Sequence, residues 1–126
     1  MPVSYEIDKE KRLVVCNVTG FCTADDVLGF HKRIVNDREF DPGFSQLVDC
    51  TGITGSDIAP GQMKFVAAQS PFSLDSRRAL IADSDLGFAL LRVYEIVRGL
   101  RGDRQVRVFR SRAAALEWLL EKKQAA

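Results

Sequence analysis

Phe44-Ser45-Gln46-Leu47-Val48-Asp49-Cys50-Thr51-Gly52-Ile53-Thr54 reads as a short buried strand, Phe44 to Asp49, running into a polar, glycine-bearing loop. Helix-forming stretches flank it on both sides, so it decides for an α/β chain. In such chains ligands and regulatory chemistry collect at the carboxyl ends of strands. The loop carries no phosphate-cradling glycine pattern, no nucleophile elbow and no metal-ligand cluster.

Upstream, Val3, Tyr5 and Ile7 alternate with Ser4, Glu6 and Asp8, the period of a half-exposed strand. Lys9-Glu10-Lys11 serves as a hairpin turn, and Leu13 to Thr19 returns as a second strand ended by Gly20-Phe21-Cys22. Thr23 opens a helix that runs to about Asn36, with Asp25 and Asp26 in its first turn. Its apolar face holds Val27, Leu28, His31, Ile34 and Val35, with Phe30 at the border. Asp41-Pro42-Gly43 breaks the chain before the third strand.

Downstream, Pro60 suits the first turn of a short helix, Gln62 to Gln69, packed through Met63, Val66 and Ala67. Arg77 to Ala82 is a fourth strand whose Ala79-Leu80-Ile81-Ala82 run implies burial on both faces. Asp83-Ser84-Asp85 caps a long helix, Leu86 to about Gly99, with Leu86, Ala89, Leu90, Val93 and Val97 inward. Gln105 to Arg110 is a fifth strand. Ser111 caps a last helix with Ala115, Leu116 and Leu119 on its inner face. The order β-β-α-β-α-β-α-β-α implies a mixed, mostly parallel five-stranded sheet with an antiparallel first strand at one edge.

Composition agrees with one domain over residues 1–126. The chain is 46% hydrophobic and 28% charged, which excludes disorder. No apolar run approaches the ~18 residues of a membrane span. Charged strand residues follow Met1-Pro2 at once, leaving no room for a secretory signal, and Cys16, Cys22 and Cys50 are odd in number without C-x-x-C spacing. A cytoplasmic protein with reduced thiols is expected. Net charge is +1. Residues 1–75 carry 7 basic and 11 acidic side chains, residues 76–126 carry 11 and 6, so −4 faces +5. Arginines at 98, 101, 104, 107 and 110 cross from helix through turn to strand and share no face, and only Phe109 interleaves them. No nucleic-acid partner is expected.

In element order the chain resembles the STAS-like domains of SpoIIAA-like fold, closest to small stand-alone bacterial members of unassigned function. The resemblance rests on Tyr5-Glu6-Ile7-Asp8, Leu13-Val14-Val15, Gly20, Thr23-Ala24-Asp25-Asp26, Phe40-Asp41-Pro42-Gly43-Phe44, Gln46-Leu47-Val48-Asp49 and Arg107-Val108-Phe109. In the anti-sigma-factor antagonists of this fold, an aspartate-containing strand end is followed by Asp-Ser-Ser-Gly, whose first serine is phosphorylated. Asp49-Cys50-Thr51-Gly52-Ile53-Thr54 matches the first part and Asp57 falls on the second aspartate. Ile58 falls on the phosphorylated serine, and Ser56 is reached only by a shift. The resemblance therefore implies the scaffold without the switch.

Three side chains are candidates for chemistry. His31 is the only histidine, and on an apolar helix face it reads as a core residue. Cys50, at a strand end, needs a nearby cation to become reactive and has none adjacent in sequence. Asp49 and Asp57 flank the loop as a possible carboxylate pair, although Asp49 is explained more simply by bonds within its own loop. These residues imply no catalytic set, no metal and no cofactor, so the expectation is a non-enzymatic interaction or regulatory module with a protein partner. The alternative is a small-molecule or anion-binding domain with a pocket at Asp49, Cys50, Thr51, Gly52, Asp57 and Ser84. Phe88, Leu91 and Arg92, on the outer face of the long helix, are expected to form a homodimer interface.

Overall fold

A hairpin of β1 (Val3–Asp8) and β2 (Leu13–Cys22) begins the chain, followed by α1 (Ala24–Val35), β3 (Ser45–Ser56) and α2 (Pro60–Ala68). Then come β4 (Arg78–Ile81), α3 (Asp85–Leu100), β5 (Val106–Phe109) and α4 (Arg112–Leu119). The computed structural model describes residues 2–121. The sheet order is β1-β2-β3-β4-β5, with β1 antiparallel to β2 and every other pair parallel. This is the mixed sheet that the element order implied.

The helix starts follow their caps. Thr23 Oγ1 accepts from the Asp26 amide at 3.2 Å, while the Asp26 carboxylate accepts from the Thr23 amide at 2.8 Å. That reciprocal box satisfies donors that a first turn otherwise leaves bare. Ser84 and Ser111 accept from the amides of Gly87 and Ala114 in the same way.

Strands β2 to β5 are added in one direction across the sheet. Crossovers of one hand then put α1, α2 and α3 on the same face, leaving α4 alone on the other. The α4 face is closed by Leu13, Leu47, Ala79, Ile81, Ala115 and Leu119. On the three-helix face a core of Val3, Val14, Cys16, Val18, Phe30, Ile34, Phe44 and Phe72 lies under α1. Phe30, placed at the border of the α1 face from sequence, is central to that core, whereas Val35 is exposed.

The third strand departs most from its sequence reading. It runs on to Ser56, and Cys50 to Thr54 are strand, not loop. Two register shifts against β2 explain the difference: Asn17 pairs Asp49 but Thr19 pairs Gly52, and Gly20 pairs Ile53 but Phe21 pairs Gly55. Each shift inserts one residue into β3 and breaks the two-residue alternation by which a strand is recognised. Gly52 permits the first bulge, since a Cβ there would lie 2.9 Å from Thr19 Cγ2.

Candidate functional site

Three helices of about 10 Å diameter need about 30 Å of width. Five strands at ~4.8 Å spacing offer about 20 Å between outer strand axes. The helices therefore cannot all lie flat. The neighbours of α2 are α3 and α1, and those of α3 are α2 and β5, so α2 roofs the space over β3 and β4.

That space is a cavity of about 670 Å³. Its floor is Cys16 and Val18 of β2, Gln46, Val48 and Cys50 of β3, and Leu80 with Ala82 at the end of β4. Val27, Phe30 and His31 of α1 form one wall, Met63 and Val66 of α2 the roof, and Leu90, Leu91, Val93 and Tyr94 of α3 the other wall. Exposed residues gather at the carboxyl ends of the strands: Thr54, Ser56, Pro60, Asp83, Ser84 and Leu86, the last 83% exposed. These form the mouth. The only fully buried side chain of α3 is Arg98; its apolar inner residues are half-buried because they face open space.

The volume decides what this space is. Interiors are close-packed, with few voids larger than a water molecule. A sealed, dry void of this size would cost about 16 kcal/mol at ~24 cal/mol per Å³, against a typical total stability of about 5–15 kcal/mol. The cavity is therefore an open site, within the ~300–1,000 Å³ of small-molecule pockets.

Two anchors fix the ends of α3. At its carboxyl end Arg98 donates to Asp103 through Nε at 3.0 Å and to the Ala67 carbonyl at 2.9 Å, fastening α3 to α2. Arg78 of β4 donates to the other Asp103 oxygen at 2.5 Å. At the amino end Arg110 pairs with Asp85 at 2.9 Å and lies 4.2 Å over the Phe88 ring. The arginine series thus serves α3 packing at 98 and 110, while Arg107 stacks on Phe109 and Trp118.

The sequence candidates separate across the sheet. Cys50 and Ser84 line the cavity. Asp49, Thr51 and Gly52 do not. Asp49 faces α4, where it accepts from Arg112 at 2.9 Å and from the Thr51 amide and hydroxyl at 2.9 and 2.7 Å. Burial works to raise its carboxyl, but those hydrogen bonds outweigh it and hold the group below the usual range. Asp57 is exposed beyond the end of β3, so the two carboxylates form no shared site. Ser56 Oγ is engaged, donating to the Cys22 carbonyl at 2.8 Å and accepting from the Ile58 amide at 3.2 Å.

The expected dimer surface also shifts. Leu91 lines the cavity and Phe88 is half-buried beneath Arg110, while exposed Arg92 pairs with Glu95 on its own helix. The solvent stripe of α3 is Ala89, Arg92, Ile96 and Leu100. A helical wheel assigns arginine to water, and the burial of Arg98 rotates the helix away from that phase. Leu86 and Ala89, placed inward from sequence, lie at the cavity mouth and in solvent.

Burial governs the remaining titratable groups of the cavity. It pushes the Cys50 thiol up to about 12, with Cys22, Asp49 and Cys16 adding to the shift, and Cys16 likewise to about 12. These thiols stay protonated at neutral pH and are weak nucleophiles. His31 is pushed down to about 4, mainly by burial and further by the charge of Arg98. It is a neutral imidazole in the cavity wall, and its buried Nδ1 has no hydrogen-bond partner among the described residues. Nothing in the sequence marks that orphaned nitrogen; the histidine on an apolar face was the available signal.

Fold and cavity together define a small α/β domain of SpoIIAA-like fold with an apolar pocket under its crossover helices. Among solved structures, the chain is similar to an uncharacterized protein of the DUF3478 family with a SpoIIAA-like fold from Shewanella loihica PV-4. The TM-score is 0.58 at 17% identity, over 93% of this chain and 91% of that one. No family model and no curated protein matches the chain. Among the described residues no helix is long and apolar enough to cross a membrane.

Proposed function

We propose that this protein is a non-enzymatic binding module that takes an apolar small molecule into the cavity beneath α2 and α3. The observation that carries the reading is the half-burial of Val48, Leu90, Leu91 and Val93, apolar residues at the centre of the fold that face open space. Covering them with an apolar ligand removes hydrocarbon surface from water at about 25 cal/mol per Å². The neutral histidine and protonated thiols of the lining favour binding over catalysis, because none is poised to move a proton at neutral pH.

This is the small-molecule branch of the alternative drawn from sequence, moved from the β3 end into the helix-covered face and narrowed to an apolar ligand. Fluorescence titration with N-phenyl-1-naphthylamine tests it. Saturable, single-site enhancement is expected, weakened at least tenfold by Val48→Phe, which fills the cavity floor. Unsaturable binding, or equal affinity in the variant, refutes the proposal.

A further inference from the structure

We propose that two copies of this chain pair through the exposed face of α3, the two helices lying antiparallel about a two-fold axis at Val93. The pairing does not depend on the cavity holding a ligand. Its first support is the spacing of the stripe. Leu86, Ala89, Val93, Ile96 and Leu100 recur at intervals of three and four residues along the whole of α3. Such a seam lets one helix pack its side chains into the holes of another, and the small Ala89 allows close approach. All but half-buried Val93 are exposed, Leu86 and Leu100 at 83% and Ile96 at 54%.

The second support is area. A free leucine or isoleucine presents roughly 180 Å², so Leu86, Ile96 and Leu100 together leave about 400 Å² in water. With Ala89, Arg92, Asp85 and Arg101, all exposed, the strip reaches about 600 Å². Two copies then bury about 1,200 Å², the lower edge of the ~1,200–2,000 Å² of specific interfaces. At 16 residues α3 is about 24 Å long, enough to carry a strip of that size.

The third support is charge. Asp83 and Asp85 stand exposed at the amino end of α3, and Asp85 remains 98% exposed although it pairs with Arg110. Arg101 and Arg104 stand exposed at the carboxyl end, where neither has a carboxylate partner among the described residues. A two-fold axis at Val93, midway between Leu86 and Leu100, sets the acidic end of each helix beside the basic end of the other. It also opposes the two macrodipoles favourably. A parallel pair would bring like charges together. Leu86, at the cavity mouth, then lies against Leu100 of the partner subunit, so the second copy forms part of the rim.

Sedimentation equilibrium up to about 100 µM tests the pairing. The wild type is expected to reach twice the chain mass. Ile96→Glu with Leu100→Glu is expected to raise the dissociation constant at least about thirtyfold while keeping a cooperative urea transition. Both residues are exposed and neither lines the cavity, so probe titration of the same variant reads the cavity separately. Direction is read by oxidative crosslinking with copper-phenanthroline. A mixture of Leu86→Cys and Leu100→Cys variants is expected to form a covalent dimer. Leu86→Cys alone should do so far less, because an antiparallel pair holds its two copies about 21 Å apart. The native thiols do not compete, since Cys16 and Cys22 are buried and burial keeps Cys50 protonated. A wild type that stays monomeric overturns the proposal, as does a folded double variant that still dimerises. Leu86→Cys crosslinking alone as well as the mixture overturns the antiparallel order. Should the double variant fail to fold, the wild-type mass and the crosslinks decide.

Discussion

Enlarging a side chain in the middle of a sheet normally destabilises a protein, and at Val48 the opposite is expected. Val48 pairs with Cys16 and Leu80 in the central strand, a position that in a close-packed domain has no spare room. Small-to-large changes there cost about 1–3 kcal/mol through displaced neighbours. Here the side chain faces the cavity, and Val48→Phe adds about four carbons to empty space. At ~0.8 kcal/mol per buried carbon the gain is at most about 3 kcal/mol, reduced to about 2 by partial exposure and lost rotamer freedom. For a domain of this size that corresponds to a rise of about 8 °C in Tm, at roughly 4 °C per kcal/mol. Urea denaturation gives the free energy and calorimetry the Tm. A variant less stable than the wild type by 1 kcal/mol or more would show that the space is filled in solution and that the cavity argument is wrong.

Three further outcomes follow from the geometry. Asp103→Ala strands the buried guanidiniums of Arg78 and Arg98 and is expected to lower the free energy of unfolding in urea by about 3–5 kcal/mol. Asp49→Ala breaks a partly exposed pair with Arg112 on the α4 face and the two bonds from Thr51; it should cost about 1–2 kcal/mol and leave probe affinity unchanged, whereas a tenfold loss of affinity would return Asp49 to the site. For His31 the folded-state value of about 4 lies below the ordinary histidine value of 6.5, so the unfolded chain binds the extra proton between those pH values. Stability is fully present above about pH 6.5 and is lost as pH falls toward 4, by about 3 kcal/mol in all. Urea midpoints at pH 7 and pH 4 should show this loss reduced in His31→Leu, and an undiminished loss would assign the acid lability to other groups.

The fold was legible where local chemistry agrees with it. Alternation of Val3, Tyr5 and Ile7 gave the edge strand, Thr23, Ser84 and Ser111 gave three helix starts, and the order of elements gave the antiparallel edge on an otherwise parallel sheet. It failed where pairing overrides pattern. The segment from Cys50 to Ser56 carries two glycines, two threonines and two extra residues, and so lacks a period of two. It is strand because the far end of β2, from Thr19 to Cys22, extends beside it and supplies hydrogen-bonding partners. Those partners are distant in sequence and invisible to any local window.

The site was less legible, for a reason that separates lining from packing. A leucine facing a cavity and a leucine facing a core are written the same way, so Val48, Leu90 and Val93 carried no sign of open space. Charge misled in the opposite sense. Arg78 and Arg98 are among the polar side chains a helical or strand pattern sends to solvent, yet they are buried around Asp103 and fix which face of α3 turns inward. The usable signal is architectural. Strands added in one direction force three crossover helices onto one face of a sheet too narrow to seat them, and one helix must ride above the others. A domain built that way fills the gap with bulky side chains or leaves it for a guest. Here β3 and β4 put Val48, Cys50, Leu80 and Ala82 under the gap, small or medium residues at each position, with no aromatic ring among them. The choice of small side chains beneath a lifted helix is what keeps the cavity open, and it is the feature that Val48→Phe reverses.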